Sequence, residues 1–115
     1  MIVAVSSAGQ LLDDRVHTLF GRCDFFLIVD SETLEYEAVQ NEFGGAPTGA
    51  GTACAQVVFD KKAQVLISGQ VGPNAHEVLS QSGVVIYLSP PGLSVREAVL
   101  RYNEGALPKM EITRF

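Results

Sequence analysis

The stretch VLISGQVGPNAHEVLSQSGVVIYL, residues 65–88, decides the fold class. It opens on an apolar, β-branched run, Val65–Ile67, and closes on another, Val84–Leu88. Both have the continuous apolar character of strands buried on two faces. Between them Pro73 suits a first helical turn, because its missing N–H donor is not needed there. Ala75, Val78 and Leu79 follow at helical spacing, and Gly83 is a natural stop in the left-handed conformation. Strand, helix and strand in so short a span predict a parallel pair joined by a right-handed crossover.

Working outward, Pro90-Pro91-Gly92 breaks the chain, and Ser94-Val95-Arg96-Glu97 is a capping box that starts a further helix. Val95, Ala98, Val99 and Tyr102 are its apolar stripe, and Gly105 closes it. Upstream, a helix is predicted from Thr52, with Ala53, Val57 and Val58 turned inward and Asp60-Lys61-Lys62 at its end. A loop of small residues, Asn41–Gly51, precedes it. Asp24–Asp30 carries the strongest strand pattern, with Phe25, Phe26, Leu27, Ile28 and Val29 in a row. Leu34–Gln40 alternates, with Leu34, Tyr36 and Ala38 pointing one way and Glu35 and Glu37 the other, so it reads as a half-exposed hairpin partner. Ile2–Val5 reads as a central strand; Ser6–Arg22 reads as a long loop with a helical turn near Val16–Leu19. The sum is an α/β domain with a mixed five-stranded sheet and helices on both faces.

With 115 residues the chain holds one domain, 1–115, and an apolar share of 47% suits a packed core. The net charge of −5 is lopsided: residues 1–60 hold nine acids against Arg15 and Arg22, net −7, and the remainder is +2. No basic face is visible, which argues against a nucleic-acid partner. No apolar run reaches the ~20 residues that span a bilayer, so no membrane partner is expected. Met1–Val5 lacks a basic leader pattern, and two cysteines make no disulfide scaffold, so a cytoplasmic protein with reduced thiols is expected.

In open α/β sheets ligands gather beyond the carboxyl ends of the parallel strands. Three segments should reach that rim: the loop after Val5, the loop Gly44–Gly51, and Ser68–Asn74. The last two run into helix N-termini, whose free N–H groups and dipole favour an anion. Each glycine loop could equally serve only to turn the chain. Neither is a phosphate-binding Gly-Lys-Ser/Thr loop nor a dinucleotide GxGxxG fingerprint. The soft-ligand candidates are His17, Cys23, Cys54 and His76, at no spacing that makes a closed zinc site. A thiolate at Cys54 would be favoured by a helix start, and one at Cys23 by Arg22, yet both residues equally suit a core. No nucleophile elbow and no inner-strand carboxylate cluster is present, so hydrolytic chemistry lacks its parts.

The segment Leu19-Phe20-Gly21-Arg22-Cys23-Asp24-Phe25-Phe26-Leu27-Ile28-Val29-Asp30 resembles the "FGR…F.IVD" segment of the dinitrogenase iron-molybdenum cofactor biosynthesis family. Gly44–Gly51 resembles that family's second glycine-rich segment. Gly72-Pro73-Asn74-Ala75-His76-Glu77-Val78-Leu79 with Gly83–Tyr87 looks like its "GPNA…L…G…Y" segment, and Val95–Leu107 like its closing helix. The resemblance implies a ribonuclease H-like three-layer α/β/α fold in a small stand-alone protein. It also implies a carrier or insertion role toward iron-sulfur precursors of the iron-molybdenum cofactor. Nitrogen-fixation members often place histidine directly before the Phe-Gly pair; here Leu19 stands there, and the nearest histidine is His17.

The expectation is a non-enzymatic protein that holds an iron-sulfur or iron-molybdenum-type cluster, or a similar anion, at the rim. Its binding residues would be Phe20, Gly21, Arg22, Gly44, Gly45, Gly49, Gly51, Thr52, Gly69, Gly72 and Asn74, with His17, Cys23 and Cys54 as possible iron ligands. An acceptor or cluster-donor protein would dock transiently. The alternative is a small regulatory or interaction module that binds a small anion or a partner without metal, its acidic half presenting Glu35, Glu37 and Glu42. An enzyme with Cys54 as nucleophile is a third, weaker reading.

Overall fold

A computed structural model describes residues 1–46 and 49–110. Strand β1 spans Ile2–Ser7, β2 Phe25–Asp30, β3 Tyr36–Gln40, β4 Val65–Ser68 and β5 Val85–Leu88; helix α1 spans Ala50–Asp60, α2 Pro73–Gln81 and α3 Val95–Asn103. A 3-10 turn, Phe20–Arg22, precedes β2. The strands form one sheet in the order β3-β2-β1-β4-β5. β1, β4 and β5 run parallel; on the other side of β1, β2 is antiparallel to β1 and β3 antiparallel to β2, so β2 alone runs against the rest. This order and mixture define the ribonuclease H-like three-layer fold.

Period-two alternation along the central strands splits the core into two layers. Ala4, Phe26, Leu66 and Ile86 face α1 and α2, where they meet Cys54, Ala55, Val58, Ala75 and Leu79. Val3, Val5, Leu27, Val29, Val65 and Ile67 face α3 and meet Val95, Ala98 and Val99. Each fully buried Val, Leu, Ile or Phe contributes about 1.5–3 kcal/mol relative to an exposed one. Among the described residues no helix is long and apolar enough to cross a membrane.

The structure corrects three local expectations. The helical turn expected at Val16–Leu19 is instead at Phe20–Arg22. Val16 is buried and bridges Ser7 in an extended conformation, as suits a β-branched residue drawn into the core. The loop Ser6–Arg22 is thereby tied along the rim: His17 N–H donates to Ser6 O, Phe20 N–H to Gln70 O, and Gln70 N–H to Thr18 O.

Helix α1 starts at Ala50 rather than Thr52, and it buries Ala50, Cys54 and Ala55 with the expected Val58, while Val57 is partly buried against the core and Ala53 is half-buried. Small side chains on that face let it approach α2 closely. On β3, Tyr36 and Ala38 stand beside Val29 and Leu27 but stay exposed, whereas Val39, beside Phe26, packs on the other layer. β3 is an edge strand, and the helical layer reaches it only beside Val39. Ser94 and Glu97 form the capping box read in the sequence. The loop residues Pro47 and Thr48, and tail residues 111–115, lie outside the described residues.

Candidate functional site

Helices α1 and α2 lie side by side with their N-termini together. A Cβ built on Gly51 would come 3.3 Å from Ala75 Cβ, and one on Gly21 would come 3.3 Å from Gly51 N. Three strands of backbone thus converge closely: the 3-10 turn and the first turns of both helices. They enclose a cleft of about 210 Å³ lined by Phe20, Gly21, Gly49, Gly51, Thr52, Gly72, Pro73, Asn74 and Ala75. It opens into a wider groove of about 460 Å³ that adds Leu19, Arg22, Ala50, Gln70 and Val71.

What the cleft offers is set by how the two helices begin. Their N-caps, Gly49 and Gly72, carry no side chain to accept from the first turn, and neither first turn holds an acid. Gly49 has φ 76°, a left-handed conformation that glycine adopts freely. The first intrahelical bonds are Ala53 N–H to Gly49 O and His76 N–H to Gly72 O. Among the described residues, the N–H groups of Gly51, Thr52, Asn74 and Ala75 find no acceptor. Such groups, added to the positive ends of two helix dipoles, make a donor-rich surface suited to an anion.

Of the sequence-predicted binding residues, the structure brings Phe20, Gly21, Gly49, Gly51, Thr52, Gly72 and Asn74 to one cleft. Phe20 supplies the floor: it is buried and packs on Phe26 with ring centroids 5.6 Å apart. Arg22 lines the adjoining groove, where Nη1 donates to Gly44 O at 2.9 Å and Ala46 O at 2.6 Å. The guanidinium has five donors, so it holds the glycine loop and keeps others for the groove.

Three expected residues fall elsewhere. Gly44 packs on the Cys23 carbonyl and serves as an acceptor for Arg22. Gly45 lies in open space. Gly69 is required by packing, since a Cβ there would meet Thr18 O at 2.4 Å. It lines a separate, more apolar hollow of about 280 Å³ with Val16, His17, Thr18, Gln70, Leu88, Ser89, Pro90 and Pro91.

The suggested iron ligands divide in the same way. His17 lines that apolar hollow, and its Nδ1 lies 3.0 Å from Leu19 N. Cys23 and Cys54 are fully buried and free. They meet opposite ends of the Asn41 carboxamide: Cys54 Sγ is 3.4 Å from Oδ1 and Cys23 Sγ is 3.8 Å from Nδ2. Burial, with Cys54 alongside, pushes the Cys23 thiol up to about 12. Burial also raises that of Cys54, against smaller opposing effects of Asn41 and Arg22. Both are therefore protonated thiols at neutral pH, a poor state for metal ligation or nucleophilic attack. Among the described residues no group of three His, Cys, Asp or Glu side chains gathers around a metal position.

The site residue missed by sequence reading is Asn41. It lies in the small-residue loop, and the partners that make it part of the site, Gly21, Cys23 and Cys54, are 13–20 positions away in the chain.

Fold and cleft together define a ribonuclease H-like α/β domain with a donor-lined rim. Comparison with known proteins gives the family. The family model described as dinitrogenase iron-molybdenum cofactor matches residues 1–105, and the chain belongs to that family. An uncharacterised protein of Methanocaldococcus jannaschii is 30% identical over 102 residues, covering 86% of each chain. The apo form of the orange protein from Desulfovibrio gigas superposes with a TM-score of 0.90 at 37% identity, over 95% of this chain and 92% of that one. A NifB-like protein from Thermotoga, placed in the DUF35 family, superposes with a TM-score of 0.84 at 34% identity, over 98% and 97% of the two chains.

Proposed function

We propose that this protein is a non-enzymatic carrier that holds an anionic metal–sulfur cluster precursor, of iron-sulfur or iron-molybdenum type, in the cleft between the α1 and α2 N-termini. The observation that carries the reading is the convergence of two helix starts without side-chain caps on one glycine-lined cleft, in a member of a cofactor family. The cluster is cargo. It would arrive with its own sulfide ligands and be held from outside by the Gly51, Thr52, Asn74 and Ala75 N–H groups, with Arg22 adding charge from the groove. Cys23 and Cys54, buried and protonated, take structural roles in this reading, and His17 takes no part. Glycine at the rim matters because a bulky anion can then approach the backbone directly.

Neutral donors and one arginine grip a small anion weakly enough for release, as a carrier requires. Transfer would go to an acceptor protein in the cytoplasm that docks over the open groove. The acidic first half repels nucleic acid and membranes of negative charge, while a small anion meets only the local field of the helix ends.

Anaerobic incubation with ferrous iron, sulfide and molybdate tests this directly. The expected result is visible absorption and near-stoichiometric metal that stay with the folded protein through gel filtration. Folded protein that emerges colourless and metal-free would defeat the cluster reading. The same donors would also take a simple oxyanion. A melting temperature raised by phosphate, with no response to metal–sulfur species, would therefore favour the metal-free binding module.

A further inference from the structure

Asn41 follows β3 directly, and its half-buried carboxamide lies behind the cleft wall. Its Nδ2 donates to Cys23 O at 2.8 Å and lies 3.4 Å from Gly21 O. Its Oδ1 accepts from Phe43 N–H at 3.0 Å and from the Cys54 thiol at 3.4 Å. One planar amide thus joins the Phe20–Arg22 turn, the entry to β2, the glycine loop and the first half of α1.

We propose that Asn41 is the positioning residue of the cleft, the group that keeps carbonyl oxygens turned away from it and its N–H donors free. The proposal rests on reading the cleft as an anion site. An anion pocket fails if a carbonyl oxygen points into it. The Gly21 peptide is the one in danger, since a Cβ built on Gly21 would come 3.3 Å from Gly51 N. Were that peptide to rotate, its oxygen would meet the Gly51 N–H and consume a donor. Asn41 Nδ2 draws the Gly21 oxygen inward instead, and the Cys54 thiol, 3.9 Å from the same oxygen, lies on that inner side too.

Only a carboxamide serves both directions. An aspartate at 41 would accept from Phe43 and Cys54 but have no donor for the Cys23 and Gly21 carbonyls, and it would add negative charge behind an anion cleft. Position 54 requires a small hydrogen-bonding group, not sulfur as such. Serine should substitute there and alanine should not, whereas a metal-ligating role would make both substitutions equally harmful.

The experiment measures amide hydrogen exchange and binding of tetrathiomolybdate, an anionic molybdenum–sulfur probe, in Asn41→Ala, Asn41→Asp, Cys54→Ser and Cys54→Ala. Asn41→Ala should speed exchange about tenfold or more at Arg22, Phe43 and Ala53, leave Val5 and Leu66 unchanged, and weaken the probe about tenfold. Asn41→Asp should weaken the probe further. Cys54→Ser should stay within about threefold of the parent in both measurements, with Cys54→Ala falling below it.

Parent-like exchange and binding in Asn41→Ala would overturn the proposal. If Asn41→Ala does not fold, the cysteine pair decides: equal loss of probe in Cys54→Ser and Cys54→Ala would overturn it by making sulfur the ligand. A parent protein that binds no probe would remove the anion reading. Exchange changes confined to the three named amides would still uphold Asn41 as the group that fixes the groove.

Discussion

The N-terminus of α3 and those of α1 and α2 solve the same problem in opposite ways. Every helix begins with N–H groups that have no partner within it. On α3 they are all used internally: Val95 donates to Asp14 O, Arg96 to Leu12 O and Glu97 to the Ser94 hydroxyl, while the Glu97 carboxylate accepts from Ser94 N–H. On α1 and α2 the caps are glycines, the first turns carry no acid, and both ends open on one cleft. The α3 start is built for stability; the other two, among the described residues, leave favourable interactions unmade. Stability forgone at one place and collected at an equivalent one points to a ligand for the first.

The largest effect should come from closing the cleft. Gly51→Val would drive a branched side chain into Ala75 and into the space between the helix ends. Overpacking of this kind costs about 1–3 kcal/mol. Calorimetry should show a lower melting temperature, and anion binding should vanish. Unchanged binding would mean that the ligand sits elsewhere.

Next comes removal of the α3 cap. Ser94→Ala should cost about 1 kcal/mol in urea titration. It should leave anion affinity unaltered, because the two kinds of helix start are independent.

A third change turns the open kind into the closed kind. Gly72 is an extended N-cap with nothing within 4 Å of a built Cβ, so Gly72→Asp fits without strain. It should stabilise the fold by a few tenths to about 1 kcal/mol while weakening anion binding, since its carboxylate takes the donors and repels the ligand. Stability and binding moving in opposite directions is the signature to seek; both falling together would refute the comparison.

The smallest effect is a pH response. Backbone N–H donation from Ser94, with its hydroxyl nearby, holds the Glu97 carboxyl below its ordinary value of 4.5. A depressed folded value means that the contribution is complete above the unfolded value and is lost as pH falls through the folded one. NMR between pH 5 and pH 3 should therefore show the Ser94–Glu97 amides shifting as the box opens, with no matching change at Gly51 or Asn74.

The capping box was legible in the sequence because its partners are three residues apart. So was a mixed five-stranded sheet, read from apolar runs, a hairpin and right-handed crossovers, though not the order of its strands. The two helix starts were also legible as separate anion-favouring ends. What could not be read was how loops are held in three dimensions. Val16 gave no local sign of joining the core, and Gly69 gave no sign of facing Thr18. Cys54 stood in a helical first turn, where the dipole alone would favour a thiolate. Its burial reverses that, against a smaller opposing effect of Asn41, and neither the burial nor the contact with Asn41 is encoded at short range.

The grip proposed for the anion is the set of N–H groups at two helix starts that find no acceptor among the described residues. Titrating 15N-labelled protein with tetrathiomolybdate tests it most directly. The account predicts saturable shifts at the Gly51, Thr52, Asn74 and Ala75 amides, with Val95, Arg96 and Glu97 unmoved. Shifts centred instead on the His17 and Gly69 hollow, or no saturable shift in folded protein, would contradict it.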